Sequence, residues 1–138
     1  MTTMEVLKEN VATYSPLEVC TESENALMTK IADKMNGVPV IPCTDCKYCM
    51  PCAFGLDIPG NFSVYNKAVN DGVLPLPDKS ASDYQKRLDT VNKMFQKGLN
   101  KKQWATKCTD CEACLPKCPQ HIRIPNQMGR IAEILRKR

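Results

Sequence analysis

The residues of this 138-residue chain best suited to chemistry are its nine cysteines, eight of which fall into two short runs. The first run reads CTDCKYCMPC over residues 43–52, and the second reads CTDCEACLPKC over residues 108–118. The runs align with a single insertion, Lys117, and the likeness continues beyond them, with LDIP at 56–59 matching IRIP at 122–125. The chain therefore contains an internal repeat built around clustered thiols.

The spacing of the thiols indicates what they bind. The second run, followed by Pro119, has the C-x2-C-x2-C-x3-C-P spacing by which bacterial ferredoxins ligate 4Fe-4S clusters. The first run has the same spacing with its last gap one residue shorter. Three cysteines two residues apart let a tightly turning backbone wrap one side of a cubane, with N–H groups aimed at the cluster sulfurs. The sequence thus predicts two 4Fe-4S clusters.

The ligands of each cluster follow from a rule of two-cluster ferredoxins, in which the fourth cysteine of each run ligates the other cluster. One cluster is then expected to bind Cys43, Cys46, Cys49 and Cys118, and the other Cys108, Cys111, Cys114 and Cys52. The short gap before Cys52 leaves open the alternative that this cysteine closes the cluster of its own run. No catalytic residue is expected, because the sequence has no glycine-rich phosphate loop and no histidine-paired nucleophile.

Two other uses of cysteine fit the pattern poorly. Zinc is usually held by two C-x2-C pairs separated by a longer loop, which together close one tetrahedron. Disulfide frameworks belong to secreted proteins, and the first residues, MTTMEVLKEN, do not have the basic start and apolar run of a signal peptide. The sequence contains no stretch of 18 apolar residues, so no membrane-spanning helix is expected. We therefore expect a protein of the cytoplasm or another reducing compartment. Cys20, outside both runs, is expected to be a partly buried thiol.

Helical periodicity dominates the rest of the chain, and no convincing alternating strand is found. Helices are predicted over residues 2–13, capped by Thr2, over 22–35, capped by Thr21, and over 81–98. A further helix is predicted after each cysteine run, with a proline in its first turn. The expected fold class is all-α, an α-helical ferredoxin-like domain with two cluster loops related by the internal repeat.

Charge is distributed unevenly along the chain. Residues 100–138 carry 9 basic and 3 acidic side chains, whereas residues 1–99 carry 10 basic and 12 acidic ones. The basic end is compatible with a solvated helix terminus, with compensation of thiolate-ligated clusters, or with docking of an acidic electron carrier. A redox carrier is therefore an expected partner, whereas nucleic acid and membrane are not.

The motifs resemble a specific family region. The segments PCTDCKYCMPC (42–52), IPGNF (58–62) and CTDCEACLPKCPQ (108–120) resemble the C-terminal ferredoxin-type domain of bacterial and archaeal aldo/keto reductases. MEVLKENVATYSP (4–16) resembles the helix that closes the reductase barrel and precedes that domain. Ala53 departs from the family, which has proline there.

The resemblance implies how the chain is organised. Residues 1–40 would link to an upstream reductase barrel in the same polypeptide. Residues 41–138 would form the dicluster domain, with a helical insertion at 60–103. The catalytic set and nicotinamide site of the family belong to the barrel, so no catalytic residue is carried over and the chain's own status as an enzyme stays open. The resemblance implies an electron-transfer module. A cluster-stapled structural domain and a free-standing dicluster ferredoxin are the alternatives.

Overall fold

The structure is a computed structural model that describes residues 2–75 and 79–136, with the side chain of residue 36 left out. It divides into two compact units, Met1–Val38 and Pro39–Arg138. No helix within the described residues is both long and apolar enough to cross a membrane.

The first unit consists of two helices, α1 (Met4–Tyr14) and α2 (Glu22–Asn36). Helix α2 begins with the predicted capping box, in which Thr21 and Glu24 satisfy each other's backbone N–H groups. The predicted cap of α1 is wrong by one residue: the side chain of Thr3, not Thr2, accepts a hydrogen bond from the backbone N–H of Val6. The apolar faces of both helices stay exposed. Met4 and Leu27 are 60% and 58% exposed.

The second unit consists of three helices and three short 3-10 turns that surround one core. The helices are α3 (Ile58–Asn70), α4 (Tyr84–Gly98) and α5 (Ile124–Arg136). The turns are Lys101–Gln103, Ala105–Lys107 and Leu115–Lys117. The three helices contact one another, and α5 also packs against the turn Ala105–Lys107. No residue in 2–75 or 79–136 is assigned to a strand, which confirms the all-α fold class.

The ends of α3 and α4 show how local chemistry sets helix boundaries. Helix α3 begins where predicted, because the carboxylate of Asp57 accepts a hydrogen bond from the Gly60 N–H (2.9 Å) and a proline occupies the first turn. Helix α4 begins three residues later than the periodicity predicts. The Asp83 carboxylate does not cap this helix, and instead accepts a 2.6 Å hydrogen bond from Nε of Arg87.

The core lies between the helices that follow and separate the cysteine runs. Its largest fully buried side chains are Tyr65, Phe62, Phe95, Leu56, Met128 and Ile131. Trp104 closes one side, with its ring edge-on to Phe95 (centroids 6.0 Å apart) and its indole N–H donating to the Leu99 carbonyl at 3.2 Å. Trp104 is therefore part of the packed core. Fully burying one aromatic or large aliphatic side chain stabilises the folded state by about 1.5–3 kcal/mol. The core therefore stabilises the positions of the loops that are attached to it.

Candidate iron–sulfur site

The two cysteine runs share an unusual backbone conformation. Asp45 and Lys47 of the first run have φ of 54° and 62°, and their equivalents Asp110 and Glu112 both have φ of 59°. Residues other than glycine rarely adopt this left-handed conformation, because the Cβ atom crowds the backbone. Left-handed residues two positions apart curl the chain so that successive N–H groups can face an anion. The tightly turning loop predicted from the thiol spacing is therefore present twice.

One turn is closed by equivalent hydrogen bonds in both runs. In the first run the Met50 N–H donates to the Lys47 carbonyl at 2.9 Å, and in the second the Leu115 N–H donates to the Glu112 carbonyl at the same distance. The extra residue of the second run, Lys117, is taken up by the 3-10 turn Leu115–Lys117 immediately before the fourth cysteine. The difference in spacing therefore leaves the first three cysteines of each run in matching conformations.

The residues that follow the fourth cysteines also match. The Gly55 N–H donates to the Cys52 carbonyl at 3.0 Å, and the His121 N–H donates to the Cys118 carbonyl at 3.1 Å. Gly55 has φ of 74° and His121 has φ of 51°. The only histidine thus occupies a position where the repeat needs a left-handed residue, and its side chain is exposed.

The thiols line two cavities in crossed sets. Four cysteines line the first cavity and make up the first thiol set: Cys43, Cys46, Cys49 and Cys118. The second cavity is lined by the second thiol set and by Cys49. The second thiol set is Cys52, Cys108, Cys111 and Cys114. The first cavity therefore receives three thiols from the first run and one from the second, and the second cavity receives three from the second run and, besides Cys49, one from the first. Each set supplies four soft donors, which is the number that the iron corners of a cubane require.

These thiols are not gathered around single-ion sites. Within the described part of the chain, no three side chains of histidine, cysteine, aspartate or glutamate converge to hold one metal ion. A structural zinc ion binds four ligands directly, with Zn–S distances of about 2.3 Å. A cubane binds each thiolate at a separate iron corner, so its ligands surround a larger body.

The thiols differ in burial and hence in proton affinity. Burial raises the pKa of Cys49 to about 11, and nearby Cys43, Cys114 and Cys46 add to the shift because neighbouring negative charge disfavours a second thiolate. Burial likewise raises the pKa of Cys43 and Cys114. Cys49 also lines both cavities, so the two thiol sets are immediate neighbours.

The buried amide of Asn61 connects α3 to the segment that leads into the second run. Its Nδ2 donates to the carbonyls of Asp57 (2.6 Å) and Gln103 (2.8 Å). Its Oδ1 accepts from the Ala105 N–H at 2.7 Å. Ala105 lies three residues before Cys108, so this side chain fixes where the second cluster loop begins.

Asn66, on the same helix, connects α3 to the segment that leads into the first run. Its Oδ1 accepts from the Ile41 N–H at 2.8 Å, and its Nδ2 donates to the Ile41 carbonyl at 2.7 Å. Ile41 lies two residues before Cys43. Reasoning from cysteine spacing missed both asparagines. The available signal was a polar residue, Asn61, directly beside the apolar face of α3 that begins at Phe62.

Cys20 lies in the first unit, and its thiol is exposed. The expectation of partial burial was therefore wrong. No other cysteine is near it in sequence, and neither cavity is lined by it.

Comparison with known proteins adds one finding. The 4Fe-4S dicluster domain family matches residues 42–123, which is more than half of the chain and includes both cysteine runs with the segment between them. No curated protein and no solved structure matches the chain. A dicluster domain binds two 4Fe-4S clusters, in agreement with two cavities that are each lined by at least four cysteines. This chain belongs to the 4Fe-4S dicluster domain family.

Proposed function

We propose that this domain moves single electrons between a redox carrier and an oxidoreductase, with its two clusters held by the crossed thiol sets. The observation that carries the proposal is Cys49, which lines both cavities and so makes the two sites neighbours. Adjacent redox centres suit one-electron relay, and the protein's part is to bind, orient and electrostatically tune them. The proposal places the domain in a reducing compartment such as the cytoplasm, where its free thiols stay available to iron.

The crossed ligation is tested by two triple variants, both reconstituted with iron and sulfide under anaerobic conditions. Crossing predicts that Cys43→Ser/Cys46→Ser/Cys118→Ser leaves the second thiol set complete, so one cluster with about four iron per chain is retained. Replacing Cys52 instead of Cys118 removes ligands from both sets, so no four-cysteine set remains. If the variant lacking Cys52 keeps the intact cluster and the variant lacking Cys118 does not, each run closes its own cluster.

Electron transfer itself is tested on the unmodified chain. Reconstitution is expected to give about eight iron and eight sulfide per chain, four of each per cluster. A redox titration is then expected to show reversible reduction within the range open to such clusters, about −700 to +450 mV. Clusters that are destroyed before they are reduced would contradict an electron-transfer function.

A structural role is the second candidate, and the packing of the thiols favours it. Six of the eight cysteines of the runs pack against the hydrophobic core: Cys43, Cys49, Cys52, Cys108, Cys114 and Cys118. In small domains a metal centre commonly replaces part of the core and supplies folding free energy. A stapling role predicts that cluster loss unfolds the domain and that the clusters have no accessible reversible reduction.

We further propose that the domain works as the C-terminal part of a larger aldo/keto-reductase-like oxidoreductase. The support is the resemblance of both runs and of residues 4–16 to that family, together with the exposed apolar side chains of α1, among them Met4, Leu7 and Val11. An antibody against this domain is expected to detect, in the source cells, a protein larger than 15.5 kDa by a barrel domain. A native product of 15.5 kDa would favour a free-standing dicluster ferredoxin.

A further inference from the structure

The second cysteine of each run is its exposed thiol, and equivalent residues follow the two. Cys46 and Cys111 are exposed, whereas the other six thiols of the runs are half-buried. Lys47 follows Cys46 and Glu112 follows Cys111, and these two residues share the same left-handed backbone conformation. The two loops thus present side chains of opposite charge at the same place beside each thiol set.

The surroundings of the two cavities differ in charge accordingly. Lys47 lines the first cavity, and no acidic side chain of the described residues lines it. Glu112 and Lys117 line the second cavity together, so their charges offset each other. The flanking residues leave this difference unchanged, because each set has one equivalent aspartate beside it. Asp45 lies 3.9 Å from the Lys47 ammonium and offsets its charge, and Asp110 adds a second negative charge beside Glu112. The first thiol set therefore has the more positive surroundings.

Reduction adds one negative charge to an iron–sulfur cluster, so nearby positive charge favours the reduced form and nearby negative charge disfavours it. We propose that Lys47 and Glu112 give the two clusters different reduction potentials and so set the direction of electron transfer, an inference that rests on the proposed electron-transfer function. The cluster on the first thiol set, beside Lys47, has the higher potential.

An electron would then enter at the cluster on the second thiol set and be transferred to the cluster on the first. It is supplied by a one-electron reductant outside the chain, an iron–sulfur or flavin carrier, which is oxidised by one electron as the cluster of the second set is reduced by one. Transfer within the domain reoxidises that cluster and reduces the cluster of the first set by the same electron. The exposed Cys111 and Cys46 mark the two ends of this path.

The test exchanges the two charges in the full chain with both clusters loaded. Lys47→Glu, Glu112→Lys and the double variant are compared with the unmodified protein in a redox titration followed by electron paramagnetic resonance. The exchange suits the backbone, because a side chain of either type already occupies the left-handed conformation at one of the two positions. The double variant keeps the net charge unchanged. Its matched control is Lys93→Glu/Glu133→Lys, two exposed residues that line neither cavity.

The unmodified protein is expected to show two separate potentials. Lys47→Glu is expected to lower only the higher one and Glu112→Lys to raise only the lower one, while the control pair shifts neither. Equal potentials in the unmodified protein, no response to either substitution, or a shift of the opposite potential would overturn the assignment while leaving reversible electron transfer intact. Clusters that cannot be reversibly reduced would overturn both this assignment and the proposed function.

Discussion

Within the described residues, left-handed backbone at positions other than glycine is found only near the thiols. Among the described residues, five that are not glycine have a positive φ, and each lies within a cysteine run or three residues after one: Asp45, Lys47, Asp110, Glu112 and His121. Such conformations cost on the order of 1–3 kcal/mol each and persist only when other interactions enforce them. Iron–thiolate bonds would supply such interactions when the clusters are bound, because ligand binding is coupled to folding in small metal domains.

Substitutions at two glycines can distinguish the effect of backbone conformation from the effect of steric crowding. A Cβ atom added at Gly55 or at Gly129 would meet nothing within 4 Å, but only Gly55 has a left-handed φ. Gly55→Ala is therefore expected to destabilise the cluster-loaded domain by about 1–2 kcal/mol. Gly129→Ala, within α5, is expected to stabilise it by about 0.5–1 kcal/mol, because alanine is the better helix former. Anaerobic chemical denaturation measures both, and the same sign for the two substitutions would contradict this account.

Proton competition at Cys49 predicts how cluster binding depends on pH. Because the pKa of this thiol is raised to about 11, the free thiol keeps its proton through the neutral range, and iron must displace it. The apparent affinity for the cluster is then expected to rise with pH up to about 11, by as much as tenfold per unit for each thiol deprotonated. Iron loss to a chelator is expected to be faster near pH 6 than near pH 9, and a pH-independent rate would refute this.

At the scale of elements, α3 organises both cluster loops. Asn61 and Asn66 lie on this one helix and fix the segments that lead into the second and the first run, respectively. Removing a buried amide leaves its former backbone partners without hydrogen bonds, and each such group costs about 1–3 kcal/mol. The two loops therefore depend on different side chains of the same element.

This division predicts separable effects on the two clusters. Asn61→Ala is expected to cost about 3 kcal/mol, since one carbonyl and one N–H beyond the helix lose their partner. It is expected to accelerate loss of the cluster on the second thiol set, whereas Asn66→Ala is expected to accelerate loss of the other cluster. Asn70→Ala, at an exposed position on the same helix, is the matched control. Chelator-driven iron release resolves the two phases, and identical release profiles for the first two variants would contradict the division.

The elements themselves could be predicted from the sequence, because their signals are local. Periodicity and proline placement predicted α3 and α5, and the Thr21 capping box predicted the start of α2. The start of α4 could not be predicted, because the Asp83 carboxylate binds Arg87 instead of capping the helix. The Asn61–Ala105 hydrogen bond joins residues 44 positions apart. Rules based on the spacing of nearby residues cannot predict a contact between residues so far apart in the sequence.

At the scale of the whole molecule, the site and its support lie in one of the two units. All eight cysteines of the runs, both asparagines of α3 and the buried core belong to Pro39–Arg138. In the first unit, α1 buries none of its residues. An amphipathic helix of 11 residues without a covered face draws little stability from its own propensity. The unit Pro39–Arg138 thus contains both thiol sets, the side chains that position them and the buried core.

This separation predicts that a chain shortened to residues 39–138 keeps both clusters. It retains Ile41, whose backbone N–H and carbonyl bind Asn66, and every cysteine of both thiol sets. We expect about eight iron per chain. We also expect a free energy of unfolding within about 0.5 kcal/mol of that of the full chain, the range usual for changes away from packed features. Iron analysis and anaerobic denaturation of the two forms measure this. If the shortened chain lost a cluster or more than about 2 kcal/mol of stability, residues 1–38 would have to support the site directly.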